Sequence, residues 1–370
     1  MTETHGEAAA GTVEAPRDGA PAAGAEPLVT AEGVWKVFGP HGDRLVGTPD
    51  ADLPRAELRE QTGCVVAVRD VTLDVVPGEV FVVMGLSGSG KSTLVRTLIR
   101  LIEPSAGRIR ITGRDVMAAE AGELRELRRH TVSMVFQHFG LLAHRTVLDN
   151  VAFGLEIQGV AKAERLERAR EMLRLVGLED AAFQFPDQLS GGMQQRVGVA
   201  RAFAVDPQLM LYDEPFSALD PLIRRDMQDE VMRLQAETGK TMLFITHDLL
   251  EALRLGDRIA IMRDGAIVQL GTPEELVGSP ADDYVANFVR DIPRANVLTL
   301  RWIMRDARPG EAHEGPELDV RTTVKDAVEV VAANERPVRA TDDGRVVGVV
   351  DRVSVLGAMA GEPEASGGGR

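Results

Sequence analysis

The run Gly85-Leu86-Ser87-Gly88-Ser89-Gly90-Lys91-Ser92 constrains this chain more than any other stretch, because it matches G-x-x-x-x-G-K-[ST]. That pattern works only in the order strand, loop, helix. Both flanks agree: Val80–Met84 is an unbroken apolar run that reads as a strand, and residues 93–101 continue with helical apolar spacing. Glycines in such a loop let backbone N–H groups curl around phosphate oxygens with no Cβ in the way. The helix that follows adds further donors and the positive end of its dipole. Lys91 is expected to reach the β- and γ-phosphates, and Ser92 to ligate Mg²⁺. Gly85, Ser87, Gly88, Ser89, Gly90, Lys91, Ser92 and Thr93 therefore read as a nucleoside triphosphate site.

The surrounding chain alternates in the same way. Apolar runs at 80–84, 132–136, 209–212, 242–245 and 259–262 are separated by helical patterns, which predicts an α/β domain around a mostly parallel sheet. Leu166, Ala169, Met172, Leu173 and Val176 share one helix face, and Gly177 supplies a stop. The run at 209–212 ends in Asp213-Glu214. A carboxylate at the carboxyl end of a strand beside a phosphate loop suits the Mg²⁺ shell, and Glu214 would orient and deprotonate the attacking water. Gln137 and His247 end two further strands. Ligands of open parallel sheets sit beyond the carboxyl ends of the strands, so Gln137, Asp213, Glu214 and His247 are expected to converge on one edge. Gln and His at strand ends also commonly cap turns, but four convergent candidates weaken that alternative.

Composition bounds the rest. A length of 370 residues suits two domains, or one large domain with additions. No stretch approaches the ~20 apolar residues of a membrane helix. A net charge of −15 argues against non-specific nucleic-acid binding. The single cysteine, Cys64, cannot form an internal disulfide and reads as a small buried or half-buried side chain in a reducing compartment. Residues 1–28 and 361–370 have the composition of disordered tails, and the first lacks the pattern of a secretory signal. Pro293, Pro309, Gly310, Gly315 and Pro316 mark a linker. A small βαββα-like unit follows, with a helix at 324–333 and a strand at 346–350 after the turn Asp343-Gly344. His130, His138 and His144 lack zinc spacing. Arg125, Arg128 and Arg129, beside Glu123 and Glu126, are expected on a solvated, ion-paired helix face.

A second glycine-rich helix start, Leu189-Ser190-Gly191-Gly192-Met193-Gln194-Gln195-Arg196, precedes the strand that ends in Asp213. Ser190 reads as the N-cap, and the exposed N–H groups make another anion site. One triphosphate does not need two such cradles, so this one is expected to serve a triphosphate held by a second copy.

The phosphate loop, Gln137, residues 189–195, residues 209–214, Ser217-Ala218-Leu219-Asp220 and His247, in that order, resemble the ATP-binding subunit of an ATP-binding-cassette transporter. The resemblance spans about residues 29–292. It implies a P-loop NTPase cassette: a RecA-like core with an antiparallel β subdomain, and a helical subdomain at about 141–186. It also implies a head-to-tail dimer around two ATP molecules, in which Ser190 and Gly192 contact the partner's γ-phosphate and Asp220 communicates across the dimer. Within that family, residues 84–93, 100–104, 135–137, 144–151 and 217–224 resemble the glycine betaine/proline importer ATPases, as does the insertion at about 40–63. Ala143 stands where that subfamily pattern has Pro. The resemblance adds an adenine-stacking aromatic in the first strand, with Phe38 favoured over Trp35, and a C-terminal CBS-like α+β module, single or degenerate, within 293–360. It assigns Glu214, His247, Gln137 and Lys91 to catalysis and Ser92, Gln137 and Asp213 to Mg²⁺. Separate transmembrane permease chains, an extracytoplasmic solute-binding protein and a peripheral place on the cytoplasmic face of the membrane follow from it. An importer ATPase for another solute, such as an amino acid or a polyamine, would keep the same catalytic residues but lose the insertion and the CBS-like tail; a soluble cassette ATPase fits worse with one cassette, no heptad run and a net charge of −15.

Overall fold

The computed structural model describes residues 26–137, 140–217, 219–308 and 314–360. Residues 1–25 and 361–370, where most of the two tails was expected, lie outside them. Leu28 already belongs to the fold: its N–H donates to the carbonyl of Val75 (2.8 Å), and its own carbonyl accepts from Thr112 N (2.8 Å).

The chain divides into two compact units. The first, among the described residues, comprises 26–248 and 255–270. It holds two sheets. An antiparallel sheet contains β1 (Val29–Phe38), β2 (Val65–Val75), β4 (Ala106–Ile111) and β5 (Arg114–Asp115) in the order β2-β1-β4-β5. The second sheet contains β3 (Val80–Met84), β6 (Val132–Val135), β7 (Leu209–Asp213), β8 (Thr241–Thr246), β9 (Arg258–Arg263) and β10 (Ala266–Gly271) in the order β10-β9-β3-β8-β7-β6. The pairs β9-β3, β3-β8, β8-β7 and β7-β6 are all parallel. Strands β3, β7 and β8 are buried along their whole length, which is why they read as continuous apolar runs instead of alternating ones. The core lies between the two sheets. Val29, Val71 and Ile109 from the antiparallel sheet meet Phe81, Val83, Leu211 and Leu243 from the parallel one. Leu94 and Leu98 from the helix after the phosphate loop complete that cluster.

The helices of this unit are α1 (Arg55–Thr62), α2 (Lys91–Leu98), α3 (Ala121–Glu126), α4 (Val147–Ile157), α5 (Lys162–Leu175), α6 (Gly191–Ala204) and α7 (Pro221–Thr238). Helix α5 ends before Gly177, which takes the left-handed conformation (φ 68°). Helices α4, α5 and α6 pack on one another. The insertion at 40–63 forms two short 3₁₀ turns and α1, and it has its own small core. Leu45, Val46, Leu53 and Leu58 cover Val37, Cys64 and Val66. Cys64 is buried there, with its Sγ 3.2 Å from the carbonyl of Pro40.

One expectation fails in this unit. Arg129 does pair with Glu126 (3.0 Å), but Arg128 does not lie on a solvated face. It is half-buried and donates to the carbonyls of Ile99 (3.0 Å) and Arg100 (2.5 Å), fastening the segment after α2. Burial and the charge of Arg100 hold its pKa below the ordinary value.

The second unit comprises 249–254 and, among the described residues, 271–308 and 314–360. Its helices are α8 (Leu249–Leu255), α9 (Pro273–Gly278), α10 (Asp283–Val289), α11 (Leu300–Ile303), α12 (Val324–Ala333) and α13 (Arg352–Ala360). Its sheet has the order β11 (Glu317–Asp319), β12 (Val338–Asp342), β13 (Arg345–Val350), parallel and then antiparallel. Thr323 caps α12 by accepting from Asp326 N (3.2 Å), and Val320, Val324, Val338, Ala340 and Val350 are buried.

Candidate active site

The register of the parallel sheet sets the site. Met84 of β3 lies beside Thr246 of β8, Ile245 of β8 beside Asp213 of β7, and Tyr212 of β7 beside Val135 of β6. The residues that follow each strand end are therefore neighbours in a row: the loop from Gly85, then His247, then Asp213 and Glu214, then Gln137. Gln137 is exposed, two residues beyond the end of β6.

The loop itself is tightly framed. Gly90 has φ 106°, and a Cβ there would meet the carbonyl oxygen of Ala67 at 2.0 Å, so any side chain would push β2 off the loop. Lys91 is buried and curls back over the loop. Its Nζ donates to the carbonyls of Gly85 (2.8 Å) and Leu86 (3.1 Å) and sits 3.8 Å from Glu214 Oε1. Burial lowers the Lys91 pKa, and the carboxylates of Glu214 and Asp213 oppose that shift. Ser87 and Gly88 are exposed, whereas the Ser89 Oγ is buried without a hydrogen-bond partner. Thr93 accepts from Thr97 Oγ1 through its carbonyl (2.7 Å).

Ser92 Oγ donates to Asp213 Oδ1 (2.8 Å), while Arg96 donates to Asp213 Oδ2 (2.9 Å). Arg96 was not singled out by the motif, although it lies one helical turn beyond Ser92 on α2 and so shares its face. Glu214 takes a left-handed backbone (φ 47°). His247 Nδ1–H donates to Glu214 Oε2 (2.9 Å), so the imidazole orients the carboxylate and leaves Nε2 free of it. Ser217, also missed as a contact, donates from Oγ (2.9 Å) and from its backbone N (3.3 Å) to the carbonyl of Glu214.

The second glycine-rich start lies elsewhere in the unit. Ser190 Oγ caps α6 by accepting from Met193 N (3.3 Å). A Cβ on Gly192 would meet Ile223 Cγ2 of α7 at 2.7 Å, so glycine permits that close approach. Asp220 precedes α7 with an exposed carboxylate that makes no side-chain cap. Phe38 is 43% exposed with Lys36 Nζ 4.9 Å from its ring centre, whereas Trp35 packs on the insertion core. Among the described residues no group of three or more His, Cys, Asp or Glu side chains could hold a metal ion. His138 lies outside the described residues.

Comparison with known proteins fits this geometry. The family described as "ABC transporter" matches residues 68–217. The glycine betaine transport ATP-binding protein OpuAA of Bacillus subtilis is 53% identical over 290 residues, covering 78% of this chain and 69% of that one. The chain belongs to the ABC transporter family of ATP-binding proteins. A further relative of this ABC ATPase, the trimethylamine N-oxide transport system ATP-binding protein TmoW of Ruegeria pomeroyi, is 48% identical and is covered over 96% of its length by 89% of this chain. Among solved structures, a post-hydrolysis dimer of the ATP-binding cassette MJ0796 bound to ADP and Pi matches 66% of this chain and 99% of that one. Its TM-score is 0.56, at 32% identity. This ABC ATPase is thus an ATP-binding, ATP-hydrolysing transporter subunit with the P-loop cassette fold. No helix among its described residues is long and apolar enough to cross a membrane.

Proposed function

We propose that this ABC ATPase drives an importer for glycine betaine, proline betaine or a related small solute with a fully substituted amine nitrogen. The names of its relatives support that solute class, since they transport glycine betaine or trimethylamine N-oxide. The single observation that carries the catalytic reading is the pairing of Glu214 with Lys91 and His247 beside that of its neighbour Asp213 with Ser92.

The mechanism follows from those pairings. The backbone N–H groups of residues 85–93 and the Lys91 ammonium hold the triphosphate, whose charge replaces the loop carbonyls as the partner of Nζ. The half-buried Glu214 carboxylate, aimed by His247, orients a water and takes its proton as the water's oxygen bonds to the γ-phosphorus. The bond to the β-phosphate oxygen breaks, and ADP and phosphate leave. Gln137 stands at the edge of the same row as a further ligand or water-positioning residue. Ser92 Oγ and Asp213 Oδ1 are 2.8 Å apart, and a hydroxyl beside a carboxylate is a hard-oxygen donor pair that suits Mg²⁺ shared with phosphates. Mg²⁺ held there, with Gln137 as a third ligand, would neutralise charge developing on the phosphate oxygens.

On this reading two copies close head to tail, with Ser190 and Gly192 of each copy facing the other's γ-phosphate and Asp220 in the contact. Phe38, open to solvent, stacks on adenine. The subunit docks on separate permease chains at the cytoplasmic face of the membrane, served by an extracytoplasmic solute-binding protein. Residues 320–359 form a CBS-like module, single or degenerate.

The test is uptake of labelled glycine betaine, proline betaine and choline at high osmolarity by source cells lacking this chain. Wild-type and Lys91→Ala copies are returned separately. Rescue of one solute by the wild type alone is expected. Unchanged uptake of all three, with no redundant importer present, would overturn the solute class and leave the ATPase standing.

A further inference from the structure

The insertion reaches the phosphate loop directly. Arg55, the first residue of α1, is exposed, and its NH1 donates to the carbonyl of Gly88 (3.0 Å). Among the described residues no carboxylate lies within ion-pair distance of Arg55. A guanidinium with five donors thus rests on the phosphate loop with no carboxylate of the described residues to neutralise it.

A second line runs from the same short segment to the next residue of the loop. Asp52, three residues before Arg55, accepts from Arg69 NH1 (3.1 Å). Arg69 N donates to the carbonyl of Gly265 (2.8 Å), and Gly265 N donates to the carbonyl of Ser89 (2.9 Å). The consecutive carbonyls of Gly88 and Ser89 are therefore both occupied by outside donors, and both lines end in residues 52–55. Drawing electron density onto a peptide carbonyl makes the N–H of the same peptide a better donor. Those N–H groups belong to Ser89, whose N–H also donates to the carbonyl of Leu86 (3.1 Å), and to Gly90, inside the loop.

We propose that Arg55 is a positioning residue for ATP: the insertion uses it to hold the phosphate loop in its anion-binding shape and to raise the loop's affinity for the triphosphate. The inference rests on the reading of residues 85–93 as the triphosphate cradle. Arg55 acts through the Gly88 carbonyl on bound nucleotide and not on the hydrolytic water, so it strengthens ground state and transition state alike.

The experiment compares full-length wild type, Arg55→Met, Arg55→Lys and Lys91→Ala. A fluorescent ATP analogue reports affinity, ATP-induced thermal shift reports it independently, and phosphate release gives KM and kcat. Arg55→Met is expected to weaken ATP binding and raise KM by about threefold to tenfold, with kcat within about twofold of wild type. Arg55→Lys, which keeps a cationic donor, is expected to recover most of that loss. Melting without nucleotide stays unchanged, because one exposed hydrogen bond contributes little to folding. Wild-type affinity and KM in Arg55→Met, beside a Lys91→Ala control that has lost the ATP-induced shift, would overturn the proposal while sparing the cradle. Lowered melting without ATP, at unchanged affinity, would overturn it as well, by marking a merely structural contact. An ATP-induced shift that survives in Lys91→Ala would overturn the reading of the cradle itself, and the proposal with it.

Discussion

Glu214 holds a left-handed backbone, which costs a residue with a Cβ about 1 kcal/mol. Its N–H donates to the carbonyl of Ile245 (3.1 Å), and Ser217 donates twice to its carbonyl, so the turn is held from both sides. That turn lets Asp213 and Glu214, adjacent in sequence, serve different partners: Ser92 and Arg96 for one, His247 and Lys91 for the other. Glu214→Gln keeps the shape and removes the basicity. It is expected to slow hydrolysis about 10²- to 10³-fold while ATP binding stays within about threefold, read by phosphate release and by nucleotide titration. Equal losses in binding and rate would show that the carboxylate serves binding instead. Far from this edge, Glu79 is fully buried at the start of β3, accepting from Val76 N (2.8 Å) and pairing with Arg258 (3.3 Å). Burial pushes its pKa from 4.5 up to about 7, outweighing the opposing pull of Val76 N–H and Arg258. The folded value lies above the unfolded one. The stability tied to this proton is therefore fully present below about pH 4.5 and lost as the pH rises through about 7. Denaturant unfolding across that window should show the decline, and Glu79→Gln should flatten it; an identical slope in the variant would rule Glu79 out as its source.

At the scale of elements, residues 142–146, just before α4, are held by one buried side chain. Asn150 Oδ1 accepts from Leu142 N (2.7 Å), and its Nδ2 donates to the carbonyls of Leu142 (3.1 Å), Arg145 (3.1 Å) and Thr146 (3.0 Å). Asn150→Ala takes the partner from the Leu142 N–H and the Arg145 carbonyl, while the carbonyls of Leu142 and Thr146 keep Arg145 N and Asn150 N; it is expected to cost about 1–3 kcal/mol, read as a lowered denaturation midpoint. A midpoint within error of wild type would mean that water or a shifted loop replaces the clamp. Such contacts explain what the sequence withheld. The strand β7 and its acidic end were legible because a run of apolar residues stops abruptly at Asp213. Asn150, Arg128 and Arg55 gave no comparable sign, since each bonds to backbone carbonyls, which carry no residue identity. Arg96 could have been found from its spacing to Ser92. Ser217 could not, because its contact depends on the left-handed turn at Glu214.

For the molecule as a whole, alternation of apolar runs and helical patterns was enough to read a parallel α/β sheet, and the place of Gln137, Asp213, Glu214 and His247 at strand ends was what led to expecting them on one edge. Strand order was not legible. Nothing in the apolar composition of β3 says that its neighbours are β8 and β9, since fully buried strands look alike from sequence. Composition placed a linker after residue 290, and residues 271–292 group with the C-terminal unit. If two copies close around ATP as proposed, Glu214→Gln should sediment as a dimer with ATP and as a monomer without it. A monomer in both conditions would refute that closure.

The central place of β3 also bears on how the protein is made. Its two partners, Thr241–Thr246 and Arg258–Arg263, lie far downstream, so one edge of Val-Phe-Val-Val-Met stays bare until residue 246 has left the ribosome and the other until residue 263 has. At ordinary synthesis rates that wait lasts on the order of ten to forty seconds. Throughout it, a nascent chain carries an unpaired apolar strand that invites foreign pairing, and a phosphate loop with nothing to stand on. Nucleotide binding is therefore among the last properties the growing chain acquires, and a chaperone that shields residues 80–84 would protect the whole assembly line.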